Sequence, residues 1–281
     1  MSNPNLSGSE LNGAYSRRLL LFTTIWLIPF AGMQAQEHEN DHDHDYLHFS
    51  HPLVTESPSP DTKIRVDYLG VRTSGSTGVH ENIFRLEGEY AFNHAISIAI
   101  VTPFVSRTAP ATDRASGLGN IELSLKAASL AFGELGVVLG GGLSASLPTG
   151  SDAKSIGSAH IVEIEPFFDA GYKRGALELV GFTTLSSTFR RRAGEQAERN
   201  VTFDFSALYQ VLSRLEGLIE VTTTTRALIG DASGIQQAFI APGFKVYPFT
   251  NRKLMFGASV EIGTGVARDT HAFLVSGFYH F

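Results

Sequence analysis

His271 to Phe281 reads HAFLVSGFYHF. On an extended chain Phe273, Val275, Gly277, Tyr279 and Phe281 share one face, and Ala272, Leu274, Ser276, Phe278 and His280 share the other. Val201 to Val211 alternates more cleanly. Val201, Phe203, Phe205, Ala207, Tyr209 and Val211 lie on one side, against Thr202, Asp204, Ser206, Leu208 and Gln210. A period of two with one apolar and one polar face is the signature of a strand. Working outward from these two stretches gives twelve strand segments: 63–73, 81–92, 95–107, 118–132, 134–147, 159–173, 176–189, 201–212, 217–228, 236–249, 252–264 and 267–281. Most are far longer than the roughly five or six residues of a soluble strand. They suit the roughly 9–11 residues a tilted strand needs to cross a bilayer.

The connections alternate in length. Asn93-His94, Gly133, Arg174-Gly175, Ser213 to Glu216 and Thr250-Asn251 are tight. Ser74 to His80, Thr108 to Gly117, Thr149 to Ser158, Arg190 to Asn200 and Ile229 to Ile235 are longer; the connection near Gly265-Val266 is short and departs from the pattern. Short periplasmic turns and long outer loops build an outer-membrane barrel. With an even strand number both barrel ends face the periplasm. Aromatics mark that end of every second strand: Tyr90, Phe92, Phe132, Tyr172, Tyr209, Tyr247, Phe249, Tyr279 and Phe281. This is the pattern of an interfacial girdle. A soluble sandwich or lipocalin-like barrel would carry its apolar face inward, and the leader sequence, the terminal Phe281 and the girdle argue against it.

The opposite faces sort the charge. The lumen side carries the acids Asp67, Glu87, Glu89, Glu122, Glu163, Glu165, Asp169, Glu178, Asp204, Glu220 and Glu261 and the bases Arg65, Arg85, Lys126, Arg226 and Lys245. Such an interior favours cations or neutral solutes. The alternative is a salt-bridge network filling a narrow barrel. Pro166 and Pro242 fall inside strands, where a ladder bond is lost, so they mark bulges or displaced boundaries. Gly140-Gly141-Gly142 lies within a strand and reads as a kink or close-packing site rather than a phosphate cradle.

Composition removes other classes. The chain has 281 residues, 43% apolar content, no cysteine and a formal charge of −6. This excludes a disulfide scaffold and a thiolate metal site, and there is no basic excess of the kind nucleic-acid binders show. Arg17-Arg18, the apolar run Leu19 to Phe30 and Ala31 to Ala35 read as a secretory signal ending at residue 35. A membrane anchor is the alternative. Residues 36–62 carry seven acids and neither lysine nor arginine, whereas 63–281 balances 20 acids with 20 bases.

That acidic tail holds the second signal. His38, His42, His44, His48 and His51 interleave with Glu37, Glu39, Asp41, Asp43 and Asp45. Imidazole and carboxylate together suit Zn²⁺, Ni²⁺ or Cu²⁺. The candidate ligands are His38, His42, His44, His48, His51, Asp41, Asp43 and Asp45; no cofactor is otherwise required. A solvated polar linker is the alternative. Pro52 to Pro60 reads as extended linker, but Tyr46, Leu47, Phe49, Leu53 and Val54 are odd there and suit docking of the tail onto, or inside, the folded domain.

The terminal Phe273-x-Val275-x-Gly277-x-Tyr279-x-Phe281 resembles the C-terminal signal of bacterial outer-membrane proteins. The resemblance implies that the barrel-assembly machinery reads Tyr279 and Phe281. Gly117 to Lys126 (GLGNIELSLK), Leu143 to Asp152 (LSASLPTGSD) and Ile240 to Phe249 (IAPGFKVYPF) are similar to motifs of the phenol-degradation MetA-pathway family of outer-membrane transporters. That family often has aspartate where Asn120 stands. The resemblance implies a barrel linked to passage of small molecules.

Some twelve-stranded barrels are lipid hydrolases, which makes His80, His160 and His271, near the outer loops, the histidines to test. No nucleophile motif accompanies them, and the expectation is no enzyme. The expected fold is all-β: a transmembrane antiparallel barrel of twelve strands over 63–281 with an extended N-terminal tail over 36–62. The expected function is an outer-membrane channel for small solutes with a metal-binding periplasmic tail. A barrel-anchored metal-binding or partner-docking protein without transport is the alternative. Expected partners are outer-membrane lipid, lipopolysaccharide near Arg190-Arg191-Arg192 and Arg199, and a periplasmic metal carrier, with no nucleic acid.

Overall fold

A computed structural model describes residues 47–74, 78–109, 112–190, 199–226 and 234–281. The strands are β1 (Lys63–Thr73), β2 (His80–Asn93), β3 (Ile96–Ala109), β4 (Thr112–Leu118), β5 (Glu122–Phe132), β6 (Val137–Ser146), β7 (Val162–Arg174), β8 (Leu177–Arg190), β9 (Arg199–Leu212), β10 (Leu215–Arg226), β11 (Gly234–Val246), β12 (Leu254–Thr264) and β13 (Thr270–His280). Apart from β4 and β5, sequence neighbours pair antiparallel, and β13 closes on β1 from Lys63↔His280 to Thr73↔Thr270. β3 pairs with β5 along its inner half and with β4 along its outer half. β4 and β5 therefore share one position, and the barrel is twelve-stranded and closed.

The segment expected at 118–132 is thus interrupted, and the loop expected at 108–117 is mostly β4. Its sequence TDRASGL has no apolar face to announce a strand. The interruption joins two distant motifs. Asn120 Oδ1 accepts the Gly150 and Ser158 N–H groups at 3.2 and 2.8 Å. Thr149 Oγ1 donates to the Gly119 carbonyl at 2.9 Å and accepts the Ile121 N–H at 2.8 Å. Both contacts on Asn120 use its carbonyl oxygen, which a carboxylate supplies equally well. Asn120→Asp is therefore expected to leave the melting temperature unchanged or raise it. Asn120→Leu orphans the Ser158 N–H, while Gly150 keeps its bond to the Ser158 carbonyl at 3.1 Å, and is expected to cost about 2 kcal/mol. Thermal melts in detergent check both, and equal melts for the two variants would refute the clasp.

Pro166 and Pro242 neither bulge their strands nor end them. The β7–β8 register is the same at Ile164↔Ser187 and Phe167↔Thr184, as is the β11–β12 register at Ile240↔Ile262 and Gly243↔Ser259. Each proline drops pairs on one side, and the strand continues. Gly140 and Gly142 are close-packing sites: a Cβ on Gly140 would sit 2.8 Å from the Ala127 carbonyl oxygen, and one on Gly142 would meet the Phe167 ring.

The apolar face points outward. Ile64, Val66, Phe84, Leu86, Leu123, Leu125, Phe203, Phe205, Phe244 and Phe273 are all exposed. A soluble barrel would pay heavily for such a belt, so the solvent around it is lipid. Tyr90, Phe92, Phe132, Tyr209, Phe249, Tyr279 and Phe281 are exposed at the end bearing the tight turns. Tyr247 is the exception. It is 6% exposed, and its hydroxyl donates to Glu216 at 2.8 Å. It lies two positions beyond the lumenal Lys245, so the alternation of the strand turns it inward as well.

Candidate functional site

Residues 47–62 do not form a free linker. They fill the barrel lumen at the end where β1 begins. Pro52, Leu53, Thr55, Ser57, Pro58 and Ser59 are buried, as is Phe49. Two apolar side chains anchor this plug. Phe49 lies over Gly171 of β7, where an added Cβ would fall 2.6 Å from its ring, and Leu53 lies over Gly257 of β12. Around them the lumen is apolar: Val138, Val180, Leu208, Leu218, Met255, Leu274 and Phe278. The inner half of this barrel therefore holds a hydrophobic core, contrary to a wholly polar interior. Among the candidates for docking, Phe49, Leu53, Leu47 and Val54 join this core; Tyr46 lies outside the described residues.

Polar groups of the wall satisfy the plug backbone. The Glu220 carboxylate accepts from the Leu53, Val54 and Thr55 N–H groups at 3.2, 3.0 and 3.0 Å. Arg65 donates to the Leu53 carbonyl, and Lys245 Nζ to the His51 carbonyl at 2.9 Å. The Ser50 N–H donates to Glu178 at 2.7 Å. Glu56 pairs with Lys126 at 2.9 Å and Lys63 at 3.4 Å. Charge-assisted hydrogen bonds of this kind fix a turn that has no ladder of its own.

The lumen residues separate into two tiers. The inner tier is neutralised. Arg65 and Arg85 both bind Asp67, at 2.8 and 2.7 Å. Lys63 binds Glu89 at 2.7 Å and Glu87 at 3.1 Å, and Lys245 binds Glu216 at 3.0 Å. Lys63 and Glu216 are site residues that the sequence reading did not assign; Glu216 had been given to a turn. The outer tier is acidic. Glu122, Glu163, Glu165, Asp204 and Glu261 have no basic ion-pair partner among the described residues. Glu122, Glu165 and Asp204 line a cavity of about 220 Å³ beside the plug residue Glu56, together with Glu87, Glu89, Arg85 and Lys126, so that acids outnumber bases there. Asp169 is fully buried, and neither of its oxygens has a hydrogen-bond partner. Arg226 ends β10, but its side chain lies outside the described residues.

Burial by itself raises the Glu56 carboxyl, and Lys126, Lys63 and Arg65 outweigh it and hold the group well below the usual carboxylate range. The docked plug thus binds the ionised form preferentially. This contribution is complete above the free carboxyl's ordinary value and is lost as pH falls through the docked one. The Glu56 component of plug docking is expected to be flat from neutral pH down to about pH 5 and to weaken only in stronger acid. Channel open probability against pH checks this, and Glu56→Gln should remove that component. A difference between wild type and Glu56→Gln confined to the range between about pH 7 and pH 6 would contradict it.

The candidate metal ligands divide. His38, His42, His44, Asp41, Asp43 and Asp45 lie outside the described residues. His48 and His51 meet Asp61 and His280, which the sequence reading did not include. His48 Nε2, His51 Nε2 and His280 Nδ1 stand 3.2, 3.1 and 2.6 Å from Asp61 Oδ2. Tyr279 and Phe281 point outward at the end of the last strand.

The outer loop brings His160, Asp152 and Ser158 together. Asp152 Oδ2 and Ser158 Oγ lie 2.9 and 3.2 Å from His160 Nδ1, and Ser158 also reaches Asp152 at 2.9 Å. A nucleophile relay needs the acid and the hydroxyl on opposite ring nitrogens. Here both sit on one, so the trio is a loop brace. His80 and His271 are each paired across the ladder with Arg72.

No family model and no curated protein matches this chain. Solved structures do. The COG4313 outer membrane channel from Pseudomonas putida F1 superposes with a TM-score of 0.57 at 13% identity, over 79% of this chain and 96% of that one. This is an outer-membrane type of β-barrel. The NanC porin is similar at TM-score 0.53 and 10% identity, over 77% of this chain and 100% of that one. The translocator domain of the autotransporter NalP from Neisseria meningitidis is similar at 0.52 and 11%, over 78% and 88%. What these proteins share with this chain is the fold.

Proposed function

We propose that this protein is an outer-membrane channel for small cations or neutral solutes, closed at its periplasmic end by its own N-terminal segment. One observation carries the reading: an outer cavity whose lining holds six acids against two bases borders a plug seated in the lumen. Free carboxylates at a pore wall raise the local concentration of cations. A barrel serving only as an anchor needs neither the cavity nor a removable plug. The similarity to a structure titled as a channel and to a porin supports the reading. Passage of small molecules is also what the resemblance to the MetA-pathway transporters implies.

In this reading residues 1–35 direct export, and Tyr279 and Phe281 recruit the assembly machinery. Arg199, with Arg190 to Arg192, contacts lipopolysaccharide. The stretch with His38, His42 and His44 captures Zn²⁺, Ni²⁺ or Cu²⁺ at the periplasmic mouth, taking it from a periplasmic metal carrier. The protein performs no catalysis. Purified protein in planar bilayers tests the channel: cation-selective current is expected, larger when the plug is displaced. No current from either the intact or the plug-displaced barrel sinks the channel reading and leaves the partner-docking anchor.

A further inference from the structure

The meeting of His48, His51 and His280 on Asp61 is unusual as hydrogen bonding. All three imidazoles approach one oxygen, Oδ2, while Oδ1 takes the Thr62 N–H at 2.7 Å. A carboxylate oxygen offers about two lone pairs, so one imidazole is surplus. The geometry matches something else. Ligands about 2.0–2.1 Å from a tetrahedral Zn²⁺ stand about 3.3 Å apart. The His48 and His51 nitrogens are 3.2 and 3.1 Å from Oδ2, and all three ligand atoms lie within 4.8 Å of one another.

We propose that His48 Nε2, His51 Nε2 and Asp61 Oδ2 form a divalent-metal site of the Zn²⁺ class that clamps the plug into the barrel. His280 Nδ1, on the last strand, orients Asp61 by donating to it. The fourth position faces a cavity of about 300 Å³ at the barrel mouth, bounded by Lys173, Tyr247 and Arg252 among others. Two ligands come from the incoming limb of the plug and one from the returning limb, while His280 belongs to the wall. A metal held here ties both limbs together at the mouth.

Lys63 sits 3.2 Å from His51 Nδ1 and does not forbid this. Its ammonium is surrounded by Glu56, Glu87 and Glu89 at 3.4, 3.1 and 2.7 Å, which offset its charge. When metal takes Nε2, the His51 proton moves to Nδ1, the hydrogen bond from Lys63 to that nitrogen breaks, and the ammonium turns fully to the three carboxylates it already pairs with. No proton need leave the site.

Metal affinity does not depend on the channel reading; only the clamp's effect on conductance does. The test uses full-length protein with His38, His42 and His44 replaced by alanine, so that tail binding is removed. Calorimetric titration with Zn²⁺ is expected to show one site per chain. Adding His48→Ala should weaken it at least tenfold, and the His48 side chain is 55% exposed, so the fold tolerates its loss. Asp61→Asn should do the same, and His280→Gln should weaken binding by less. Co²⁺ should give the visible absorption of a four-coordinate site, lost in both ligand variants. Zn²⁺ binding that His48→Ala and Asp61→Asn leave unchanged overturns the site. The clamp is read separately, by thiol labelling of Ser57→Cys in this otherwise cysteine-free chain. Zn²⁺ should slow labelling, and His48→Ala should abolish that effect. Labelling that Zn²⁺ leaves unaltered overturns the clamp. If the protein carries no current at all, the channel reading fails, and the titration still decides the site.

Discussion

Valine at Gly171 and Gly257 together is expected to open the barrel. Both glycines face the lumen and form the slots under Phe49 and Leu53, so a side chain there meets an anchor directly. Each anchor is fully buried and worth about 1.5–3 kcal/mol. Evicting both removes about 3–6 kcal/mol of docking, a shift of two orders of magnitude or more in the docked-to-free ratio. The wall keeps its ladder bonds, and valine suits a strand better than glycine, so the melting temperature of the barrel should hold. The expected readings are a large rise in conductance and a labelling rate of Ser57→Cys raised about a hundredfold. Glu220→Ala reaches the same state by another route, because it orphans three consecutive plug N–H groups. Wild-type conductance and labelling in both variants would refute the idea that the plug closes this pore.

The strands and the outward belt were legible because each obeys a local rule. Alternation such as Phe203-x-Phe205 announces both the strand and the face that meets lipid. β4 was missed because TDRASGL does not alternate. The plug was half legible. Phe49, Leu53 and Val54 stood out as too apolar for a linker, but their slots come from residues more than a hundred positions away. Nothing near Gly171 or Gly257 marks them as receptors. The same holds for the cluster on Asp61. His48 and His51 were visible as candidate ligands, but His280 joins them only because the last strand pairs with the first. The acidic tier was assigned to the lumen from the alternation of its strands. Which carboxylates the bases neutralise needed the register, since it depends on which charge lies opposite which.

The outer tier gives the second large effect. Glu122→Gln, Glu165→Gln, Asp204→Asn and Glu261→Gln together are expected to abolish cation selectivity. These carboxylates share one section of the lumen, and Glu165 has Glu122 and Glu163 as its charged neighbours. None of them forms an ion pair with a base among the described residues, and Arg85 only partly offsets Glu122 and Glu261, so their fields add within a Debye length of about 10 Å. A lumen potential of a few kT raises the local cation concentration about tenfold. The measurement belongs in the Gly171→Val/Gly257→Val background, where the plug's own ion pairs no longer obstruct the path. Under a salt gradient the parent should reverse near the cation potential, and the neutralised variant near zero. Glu178→Gln is the control, because Lys173 already offsets that charge at 2.8 Å, and it should shift the reversal potential far less. The distinction is one of pairing and not of acid number, since both tiers contain carboxylates. If Glu178→Gln alone moved the reversal potential as far as all four outer substitutions, unpaired charge could not be what selects the ion.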